Sequence, residues 1–389
     1  MDITIQPHPL RGEITIIPSK SQAHRLLICA AFADKPTELL CPDTNRDIEA
    51  TADCLRSLGA GVNRTDSGYV VDPITAVPEQ AVLDVHESGS TLRFMLPIVG
   101  ALGVDATFQM AGRLPQRPLS PLWEEMERMG CVLSRPTTDT IRCAGKLRPG
   151  DYSIDGGVSS QYITGLFFAQ QLIDGESRVF ITGKLESAPY VTMTLKAMEA
   201  FYDADAPARR GFRSPGRVKV EGDWSNGAFF LAARALGNDV TVLNLDPNSP
   251  QGDKAAVSHL KQLKDNIVID ASHIPDLVPI LSIVAGANQG AVFTNIHRLR
   301  IKESDRVAST IAMIQALGGK ATSIGDSLVV WGTGYRGGTV DAQNDHRIAM
   351  ATAIAATVCC EPVTIRGAEA VNKSYPSFWE EYKRLGGRI

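Results

Sequence analysis

The stretch Pro18-Ser19-Lys20-Ser21-Gln22-Ala23-His24-Arg25 runs directly into the apolar segment 26–33, which has helical character and contains no helix breaker. Ser19 or Ser21 can cap the start of this helix. Lys20 then lies at the positive end of the helix dipole, where a cation needs an anion to neutralise it. Arg25 follows Ser21 by four residues and therefore lies on the same face, one turn further along. A lysine, hydroxyls, backbone N–H groups and a guanidinium at one helix start predict an anion-binding site.

The composition indicates an ordinary globular protein. The 389 residues are 44% hydrophobic and 21% charged, with a net charge of −4. This length predicts about two domains, and the negative charge argues against a nucleic-acid-binding protein. No apolar run approaches the roughly 20 residues that span a bilayer, and the first residues lack the pattern of a signal peptide. We therefore expect a cytoplasmic protein that binds neither nucleic acid nor membrane.

The seven cysteines are scattered along the chain without a C-x-x-C pair. This spacing predicts neither a zinc site nor a disulfide framework. The adjacent Cys359 and Cys360 lie in an alanine-rich apolar segment. We expect both to fill the core.

One type of helix end recurs along the chain: an amphipathic helix, then leucine or methionine, then glycine, which is the residue that favours a left-handed helix cap. Clear examples are 58–59, 129–130, 317–318 and 385–386, and weaker ones lie near 200–202 and 263–265. These ends are roughly 55–70 residues apart. The spacing predicts a six-fold repeat of one α/β unit with the order strand, helix, strand, helix and further strand.

Between these ends lie helices that are apolar nearly all round, which predicts that they are buried. Besides the first, they follow the polar stretches 86–93, 156–161, 222–226, 273–276 and 344–347. A buried helix whose first turn is polar must direct that turn at a surface or a cleft. If the repeats share an orientation, several positive helix ends converge.

Fixed cations stand beside these helix starts. Arg117 lies in a turn-like segment between two prolines, Lys302 and Arg306 flank Glu303, and Arg347 and Lys373 follow. Each alone is typical of a solvated surface charge, but together they predict a site for multiply anionic small molecules. The chain lacks G-x-x-x-x-G-K-[S/T] and G-x-G-x-x-G, which argues against a P-loop kinase and a Rossmann dehydrogenase. No His, Cys and carboxylate cluster has metal-ligand spacing.

The ordered motifs of the chain resemble those of the 5-enolpyruvylshikimate-3-phosphate synthase family over essentially the whole length. They are Pro-Ser-Lys-Ser-x-x-x-Arg at 18–25, Ser-Gly-Ser-Thr-x-Arg at 88–93, Arg-Pro at 117–118, Ser-Ser-Gln at 159–161, Ser-x-Pro-Tyr at 187–190, Lys-Glu-Ser-Asp-Arg at 302–306 and Asp-His-Arg at 345–347.

The resemblance implies an α/β fold of two similar domains, each made of three βαβαββ repeats with buried parallel helices and outer sheets. By resemblance the chain crosses between domains near Pro18-Ser19 and near Glu221-Gly222. The expected domains are 1–18 plus 222–389, on the phosphoenolpyruvate and catalytic side, and 19–221, on the shikimate 3-phosphate side.

The resemblance also implies a transferase of the shikimate pathway, which leads to chorismate and the aromatic amino acids. Such an enzyme moves the enolpyruvyl group of phosphoenolpyruvate onto the 5-hydroxyl of shikimate 3-phosphate and releases phosphate. It implies no cofactor and no metal, and we expect a monomer. The resemblance does not settle which of Glu303, Lys302 and Asp276 moves which proton.

The resemblance also implies a role for each residue of the site. The catalytic group is Lys20, Asp276, Lys302 and Glu303, with Asp276 as base for the 5-hydroxyl and Glu303 as acid for the methylene carbon. The residues for shikimate 3-phosphate are Lys20, Ser21, Arg25, Ser159, Ser160, Gln161, Ser187, Tyr190, Asp276 and Lys302. Those for phosphoenolpyruvate are Lys20, Gly89, Arg117, Gln161, Arg306, Arg347 and Lys373.

Three positions depart from the family pattern. Glu87 and Arg298 stand where many members have Asn, and Phe94 stands where many have Pro. They leave open the details of the shikimate phosphate side and the sensitivity to glyphosate, the inhibitor of this family.

Two alternatives have distinct signatures. The sister enolpyruvyl transferase that acts on UDP-N-acetylglucosamine normally has Lys-Asn at the first site and a reactive cysteine in a mobile loop. The corresponding loop here, 112–118, has no cysteine. A non-catalytic phosphoanion-binding protein on the same scaffold would be expected to lose Lys20, Asp276 or Glu303, and all three are present.

Overall fold

The computed structural model describes residues 1–202 and 211–389. They form two compact units, each with its own hydrophobic core. The split unit comprises residues 1–17 and 221–389, and the continuous unit comprises residues 18–220. Pro18, expected in the split unit, belongs to the continuous unit, and Glu221 belongs to the split unit.

Twelve α-helices occur in the described ranges. They are α1 Lys20–Ala31, α2 Arg46–Ser57, α3 Gly89–Leu102, α4 Leu122–Arg128, α5 Ser160–Leu172, α6 Ala188–Glu199, α7 Trp224–Ala235, α8 Ala256–Gln262, α9 Val278–Ala287, α10 Arg306–Ala316, α11 His346–Ala356 and α12 Phe378–Arg384.

The strands form six sheets, three in each unit, over the same ranges. In chain order they are β1 Asp2–Ile5, β2 Arg11–Thr15, β3 Thr37–Leu40, β4 Gly61–Thr65, β5 Gly68–Asp72, β6 Gln80–His86, β7 Asp105–Met110, β8 Cys131–Ser134, β9 Thr140–Gly145, β10 Gly150–Asp155, β11 Ser177–Thr182, β12 Arg217–Lys219, β13 Asp239–Leu243, β14 Ile267–Asp270, β15 Gly290–Thr294, β16 Lys320–Ile324, β17 Ser327–Trp331, β18 Gly338–Asp341 and β19 Val363–Arg366.

The sheets share a topology that supports the predicted repeat. Three four-stranded sheets, β12-β3-β5-β4, β6-β7-β9-β8 and β14-β15-β17-β16, each have one parallel pair followed by two antiparallel pairings. The smaller sheets β10-β11, β13-β2 and β1-β19-β18 keep the parallel pair. The antiparallel hairpins β4-β5, β8-β9 and β16-β17 of the larger sheets therefore have no counterpart in the smaller sheets over the described ranges. Between α8 and β14, for example, the chain has no room for one.

Buried and amphipathic helices alternate along the chain, as predicted from the apolar runs and helix ends. Every residue of α11 is buried, and α9 is buried except at its last residue. The amphipathic helices α2, α4, α10 and α12 end in a leucine or methionine followed by a glycine with positive φ, such as Gly59 at 102° and Gly318 at 83°. These glycines confirm the predicted helix caps.

Close packing of the buried helices depends on small residues where they touch. A Cβ placed on Gly165 of α5 would lie 2.3 Å from the carbonyl oxygen of Arg93 on α3. Glycine therefore lets the starts of α3 and α5 approach each other. This approach brings together the polar first turns on which the site depends.

All seven cysteines are free thiols, and Cys359 is buried, but Cys360 is exposed. The expectation that Cys360 fills the core was wrong, because α11 ends before this residue and the chain then places it at the surface.

None of the helices in the described ranges is both long and apolar enough to cross a membrane.

Candidate active site

In the continuous unit, α1 begins as the sequence predicts. Ser19 is the N-cap and accepts a hydrogen bond from the backbone N–H of Gln22, so Ser21 is not the cap. Lys20 is the first helical residue, and its Nζ lies 2.8 Å from Oδ2 of Asp47 on α2. Asp47 supplies the negative charge that a lysine at a helix start requires. No local sequence pattern identifies this partner, because Asp47 lies on another helix.

Arg25 ties α1 to α5 and α6. Its guanidinium donates to Thr194 Oγ1 at 2.8 Å, to the Ser21 carbonyl at 2.6 Å and to the Tyr190 carbonyl at 3.1 Å. Burial lowers the pKa of Arg25 to about 10. Its acceptors are neutral oxygens, so the buried guanidinium keeps its charge without a carboxylate partner among the described residues. Such a group is suited to attract an anion.

Ser187 stands at the start of α6 in a conformation that is rare for serine. Its φ is 54° and its side chain is buried. Its carbonyl accepts from Tyr190 N, and the neighbouring Glu186 N donates to the Gly156 carbonyl, in the loop that precedes α5. Left-handed backbone at a non-glycine residue is found where the surroundings enforce it, often at ligand sites. The Ser-x-Pro-Tyr motif thus lies beside the Ser-Ser-Gln motif.

The starts of α3 and α5 are joined through Gln161. Its Oε1 accepts from Arg93 Nη1 at 3.1 Å, and its Nε2 donates to Ser90 Oγ at 2.9 Å. Ser159 caps α5, and Ser160 is its first residue. The starts of α1, α3, α5 and α6 therefore carry all predicted site residues of the continuous unit except Arg117.

Arg117 reaches the same place from the segment after β7. A Cβ placed on Gly89 would lie 2.6 Å from Nη1 of both Arg117 and Arg93. Two guanidinium groups therefore flank the first residue of α3, where backbone N–H groups point outward. Only glycine leaves this space open, and the arrangement favours an anion.

A chain of hydroxyl groups holds these helix starts in register. His24 Nδ1 lies 2.7 Å from Thr51 Oγ1, which lies 2.7 Å from Thr91 Oγ1, which lies 2.7 Å from Ser88 Oγ. Burial, together with the charges of Lys20 and Arg25, holds the pKa of His24 well below its ordinary value. The imidazole is therefore neutral, and it adds no charge beside Lys20.

In the split unit, five of the predicted residues, Asp276, Lys302, Glu303, Arg306 and Arg347, form one group together with Asp345, which we call the Asp276 cluster. Arg306 Nη1 lies 2.5 Å from Asp276 Oδ1, Arg347 Nη2 lies 3.1 Å from Asp276 Oδ2, and Lys302 Nζ lies 3.7 Å from Oδ1. Burial favours the neutral form of Asp276, but the charges of Arg347, Lys302 and Arg306 outweigh it and hold its pKa well below the ordinary value.

Arg306 is the centre of this cluster. Its side chain is 1% exposed, and it also contacts Asp345 at 2.8 Å and Glu303 at 2.6 Å. Burial disfavours its charge, but Asp345, Glu303 and Asp276 together raise its pKa well above the ordinary value. Glu303 therefore pairs with Arg306, three residues on, in a partly buried contact and not as a fully exposed surface pair.

Asp345 was not predicted as a site residue and entered the prediction only as part of the Asp-His-Arg motif at 345–347. It is fully buried, caps α11 by accepting from Arg347 N at 3.0 Å, and accepts from Ser304 Oγ at 2.9 Å. Its place just before the apolar helix was the available signal. Asp345 thus holds Arg306 through an ion pair and Arg347 through the backbone N–H at the start of α11.

Two lysines complete the split-unit group. Burial lowers the pKa of Lys302 to about 8. Lys373 is buried at the end of a 3-10 helix, and its Nζ donates to the Asn344 carbonyl at 2.7 Å, immediately before Asp345. Arg298, one of the departures, is also buried, and its charge contributes to the lowered pKa of Lys302.

The Asp276 cluster combines cations with two partly exposed carboxylates, Asp276 and Glu303, at 17% and 24% side-chain exposure. Over residues 1–202 and 211–389, no group of three His, Cys, Asp or Glu side chains could hold a metal ion. The cations of the Asp276 cluster are suited to bind anions, and its carboxylates are suited to transfer protons.

Comparison with known proteins identifies the family. A family model described as EPSP synthase (3-phosphoshikimate 1-carboxyvinyltransferase) matches residues 5–382. Relatives named 3-phosphoshikimate 1-carboxyvinyltransferase from Clostridium kluyveri and Clostridium novyi are each 37% identical, and the alignments cover 100% of this chain and 98% of each relative.

A solved structure of EPSP synthase from Acinetobacter baumannii has the same fold, with a TM-score of 0.78 at 22% identity, covering 99% of this chain and 98% of that one. The predicted two-domain fold of βαβαββ repeats is confirmed by this likeness and by the sheet topology. On the full-length match of the family model and its relatives, this chain belongs to the EPSP synthase family.

Proposed function

We propose that this chain transfers the enolpyruvyl group of phosphoenolpyruvate to the 5-hydroxyl of shikimate 3-phosphate. The observation that carries the proposal is the Asp276 cluster, in which three cationic groups surround a partly exposed carboxylate. Membership of the EPSP synthase family supports the same substrates. The enzyme is a transferase of the shikimate pathway that acts as a monomer in the cytoplasm without a cofactor.

Phosphoenolpyruvate is bound by Arg306, Arg347 and Lys373 of the split unit. In the continuous unit its contacts are Lys20, Gly89, Arg117 and Gln161. The substrates together carry two phosphates and two carboxylates, and each like-charge pair at about 4 Å costs roughly 4 kcal/mol at an effective dielectric constant near 20. Several fixed cations are therefore needed to offset this repulsion.

Shikimate 3-phosphate is bound by Ser159, Ser160 and Ser187 at its phosphate. Arg25 and Ser21 bind its carboxylate, and Gln161 and Tyr190 line the ring. The buried charge of Arg25 supports this role. Lys20, Asp276 and Lys302 complete the contacts, with Asp276 at the 5-hydroxyl.

The proton transfers are assigned to the two partly exposed carboxyl groups. Glu303, in its acid form, protonates the methylene carbon of phosphoenolpyruvate, and the 5-oxygen bonds to the neighbouring carbon while Asp276 accepts the hydroxyl proton. Glu303 then removes a proton from the new methyl group as the C–O bond to phosphate breaks, and the proton held by Asp276 passes to the departing phosphate. One C–O bond forms, one breaks, and the methylene group is restored.

Asp276 is too weak a base while both arginines and Lys302 surround it. Because the substrate anions compete for the same guanidinium donors, their binding reduces the positive charge that Asp276 experiences. The pKa of Asp276 then rises towards the range in which it accepts a proton. Substrate binding therefore activates the base.

The decisive experiment is a phosphate-release assay with phosphoenolpyruvate and different acceptors. We expect release with shikimate 3-phosphate, none without an acceptor and none with UDP-N-acetylglucosamine. The Asp276→Asn variant should lose at least about 100-fold in kcat, the usual contribution of a positioned base. An exposed aspartate in the same unit, Asp265, provides the matched control variant Asp265→Asn.

Release with UDP-N-acetylglucosamine would favour the sister transferase. Absence of release with either acceptor, together with tight binding of phosphoenolpyruvate, would favour a non-catalytic phosphoanion-binding protein.

A further inference from the structure

His24 is a buried imidazole that none of the proposed steps uses. It lies on α1 immediately before Arg25, and it has no solvent exposure. Its Nδ1 lies 2.7 Å from Thr51 Oγ1 on α2. Its other ring nitrogen, Nε2, is buried and has no hydrogen-bond partner among the described residues. The contact with Thr51 is therefore the polar contact that orients this ring.

The unpartnered Nε2 indicates which ring nitrogen carries the proton. A charged imidazole has an N–H group on both nitrogens, so the one at Nε2 would be buried without an acceptor. A neutral ring protonated at Nε2 would leave the same N–H group unpaired. Protonation at Nδ1 leaves only a lone pair unpaired, and buried acceptors without partners are more common than buried N–H groups without partners. His24 Nδ1–H therefore donates to Thr51 Oγ1.

This donor sets the direction of the hydroxyl chain that His24 begins. Each hydroxyl group has one hydrogen to donate. Thr51 accepts from His24 and donates to Thr91 Oγ1 at 2.7 Å, and Thr91 donates to Ser88 Oγ at 2.7 Å. A second acceptor for Thr91, the Asp47 carbonyl, is more distant at 3.5 Å. Ser88 Oγ also accepts from Thr91 N at 3.3 Å, so two donors from one residue fix the cap of α3.

The chain joins three helix starts of the candidate site. At one end, Ser88 caps α3, whose first residue, Gly89, is flanked by two guanidinium groups. At the other end, His24 follows Lys20 by four residues and lies one turn further along α1. Thr51, in the middle, belongs to α2, which also carries the carboxylate that pairs with Lys20. No member of the chain is more than 1% exposed, so these bonds are made away from solvent.

We propose that His24 is a positioning residue for the phosphoenolpyruvate site, because its Nδ1–H is the fixed donor that holds the start of α3 in place relative to α1. Without this donor the hydroxyl groups can reverse their direction, and Ser88 then donates to Thr91 where it had accepted. The cap of α3 is held less firmly, and Gly89 shifts relative to Lys20. The inference rests on the proposed function in one respect, because it takes Gly89 and Lys20 as phosphoenolpyruvate contacts.

Two substitutions of His24 separate the donor from the rest of the ring. His24→Phe keeps an aromatic ring beside Phe94, whose centroid lies 6.2 Å from that of the imidazole, but removes the donor. His24→Asn restores a donor, since the amide nitrogen of asparagine and Nδ1 of histidine are both bonded to Cγ. At saturating shikimate 3-phosphate, the KM for phosphoenolpyruvate should rise about fivefold in His24→Phe, the factor that one buried hydrogen bond is typically worth. It should return to near the wild-type value in His24→Asn, and kcat should change much less in both.

Thr51→Val breaks the same chain without changing the ring, in case His24→Phe fails to fold. It should raise the KM for phosphoenolpyruvate by a similar factor. The double variant should have no higher KM than either single variant, because groups that act through one chain are not additive. Thr192→Val is the matched control, since Thr192 is an exposed residue of the same unit whose hydroxyl donates to the Ala188 carbonyl within α6. Its KM should equal that of the wild type.

NMR of the full chain labelled with ¹⁵N in histidine tests the position of the proton without reference to activity. The chain has seven histidines, and the resonances missing from His24→Phe identify those of His24. We expect a protonated Nδ1 and an unprotonated Nε2. A proton on Nε2 would reverse the proposed direction of the chain and overturn the inference.

The kinetic outcomes distinguish the inference from the proposed function. A wild-type KM in His24→Phe and Thr51→Val, or a KM in His24→Asn as high as that in His24→Phe, overturns the inference alone if the wild type releases phosphate with shikimate 3-phosphate. A wild type that neither binds phosphoenolpyruvate nor releases phosphate overturns both. Loss of thermal stability in His24→Phe with an unchanged KM would assign His24 a purely structural role and also contradict the inference.

Discussion

Replacing Arg306 by methionine tests the energetics of the Asp276 cluster. The guanidinium is 1% exposed and contacts Asp276, Glu303 and Asp345, the last of which has a fully buried side chain. Removing one partner of a buried ion pair costs about 3–5 kcal/mol, because the other charge stays buried without compensation. Methionine keeps much of the volume of the arginine side chain, so the loss of stability reports mainly on the removal of the guanidinium charge. We expect the free energy of unfolding of the split unit to fall by about this amount at pH 7.

The sign of the pH dependence follows from Asp276. Its pKa is held below the unfolded value, so its ion pairs stabilise the fold above the unfolded pKa of about 4 and lose that effect as the pH falls through the folded pKa. Removing Arg306 removes part of this stabilisation. The difference in stability between wild type and Arg306→Met should therefore be largest near pH 7 and become smaller below pH 4.

Urea unfolding followed by tryptophan fluorescence can isolate the split unit. Of the four tryptophans, only Trp123 lies in the continuous unit, so the background variant Trp123→Phe makes the signal specific. Arg300 is the matched control, since its contact with Asp305 is 3.6 Å long and exposed. Such a pair is worth about 0–1 kcal/mol. If Arg306→Met and Arg300→Met cost the same at pH 7, the reasoning about the buried cluster is refuted.

Three further predictions concern activity. Lys20→Ala should reduce kcat/KM at least about 1,000-fold, since we propose that this lysine contacts both substrate anions, and near-normal phosphate release would show that α1 does not contribute to the site. Gly89→Ala should raise the KM for phosphoenolpyruvate about tenfold while leaving the thermal unfolding temperature nearly unchanged, because its Cβ would lie 2.6 Å from the movable ends of Arg93 and Arg117. Lys302 must be charged to bind anions, so kcat/KM should fall above the pKa of about 8, and Lys302→Arg should move that limb to higher pH; an unchanged profile would contradict the role of Lys302.

The sequence predicts those parts of the fold that local chemistry determines. The glycine after α2 or α10 marks a helix end because a left-handed cap suits it, and the serine before Lys20 marks a start. The shortened sheets could not be predicted, because loss of a hairpin leaves the helix pattern unchanged. The exposure of Cys360 depends on where α11 ends, which the apolar run does not specify.

The candidate site was predictable as a set of residue types but not as a set of contacts. The cations beside helix starts could be identified along the chain, and the family resemblance assigned their roles. The pairing of Lys20 with Asp47 and the burial of Asp253 depend on the packing of distant segments. Neither has a local sequence signal, since both aspartates resemble ordinary residues of the first turn of a helix.

The central claim is that the chain forms a new bond between the 5-oxygen of shikimate 3-phosphate and the enol carbon of phosphoenolpyruvate, by way of a transient methyl group. It is tested most directly by incubating the enzyme with both substrates, with phosphoenolpyruvate labelled with ¹³C at that carbon, in D₂O, and following the mixture by NMR and mass spectrometry. The account predicts that the label appears in an enol ether at the 5-oxygen, with equimolar phosphate and deuterium in the methylene group. Phosphate release without this ether, or an ether whose methylene group carries no deuterium, would contradict it.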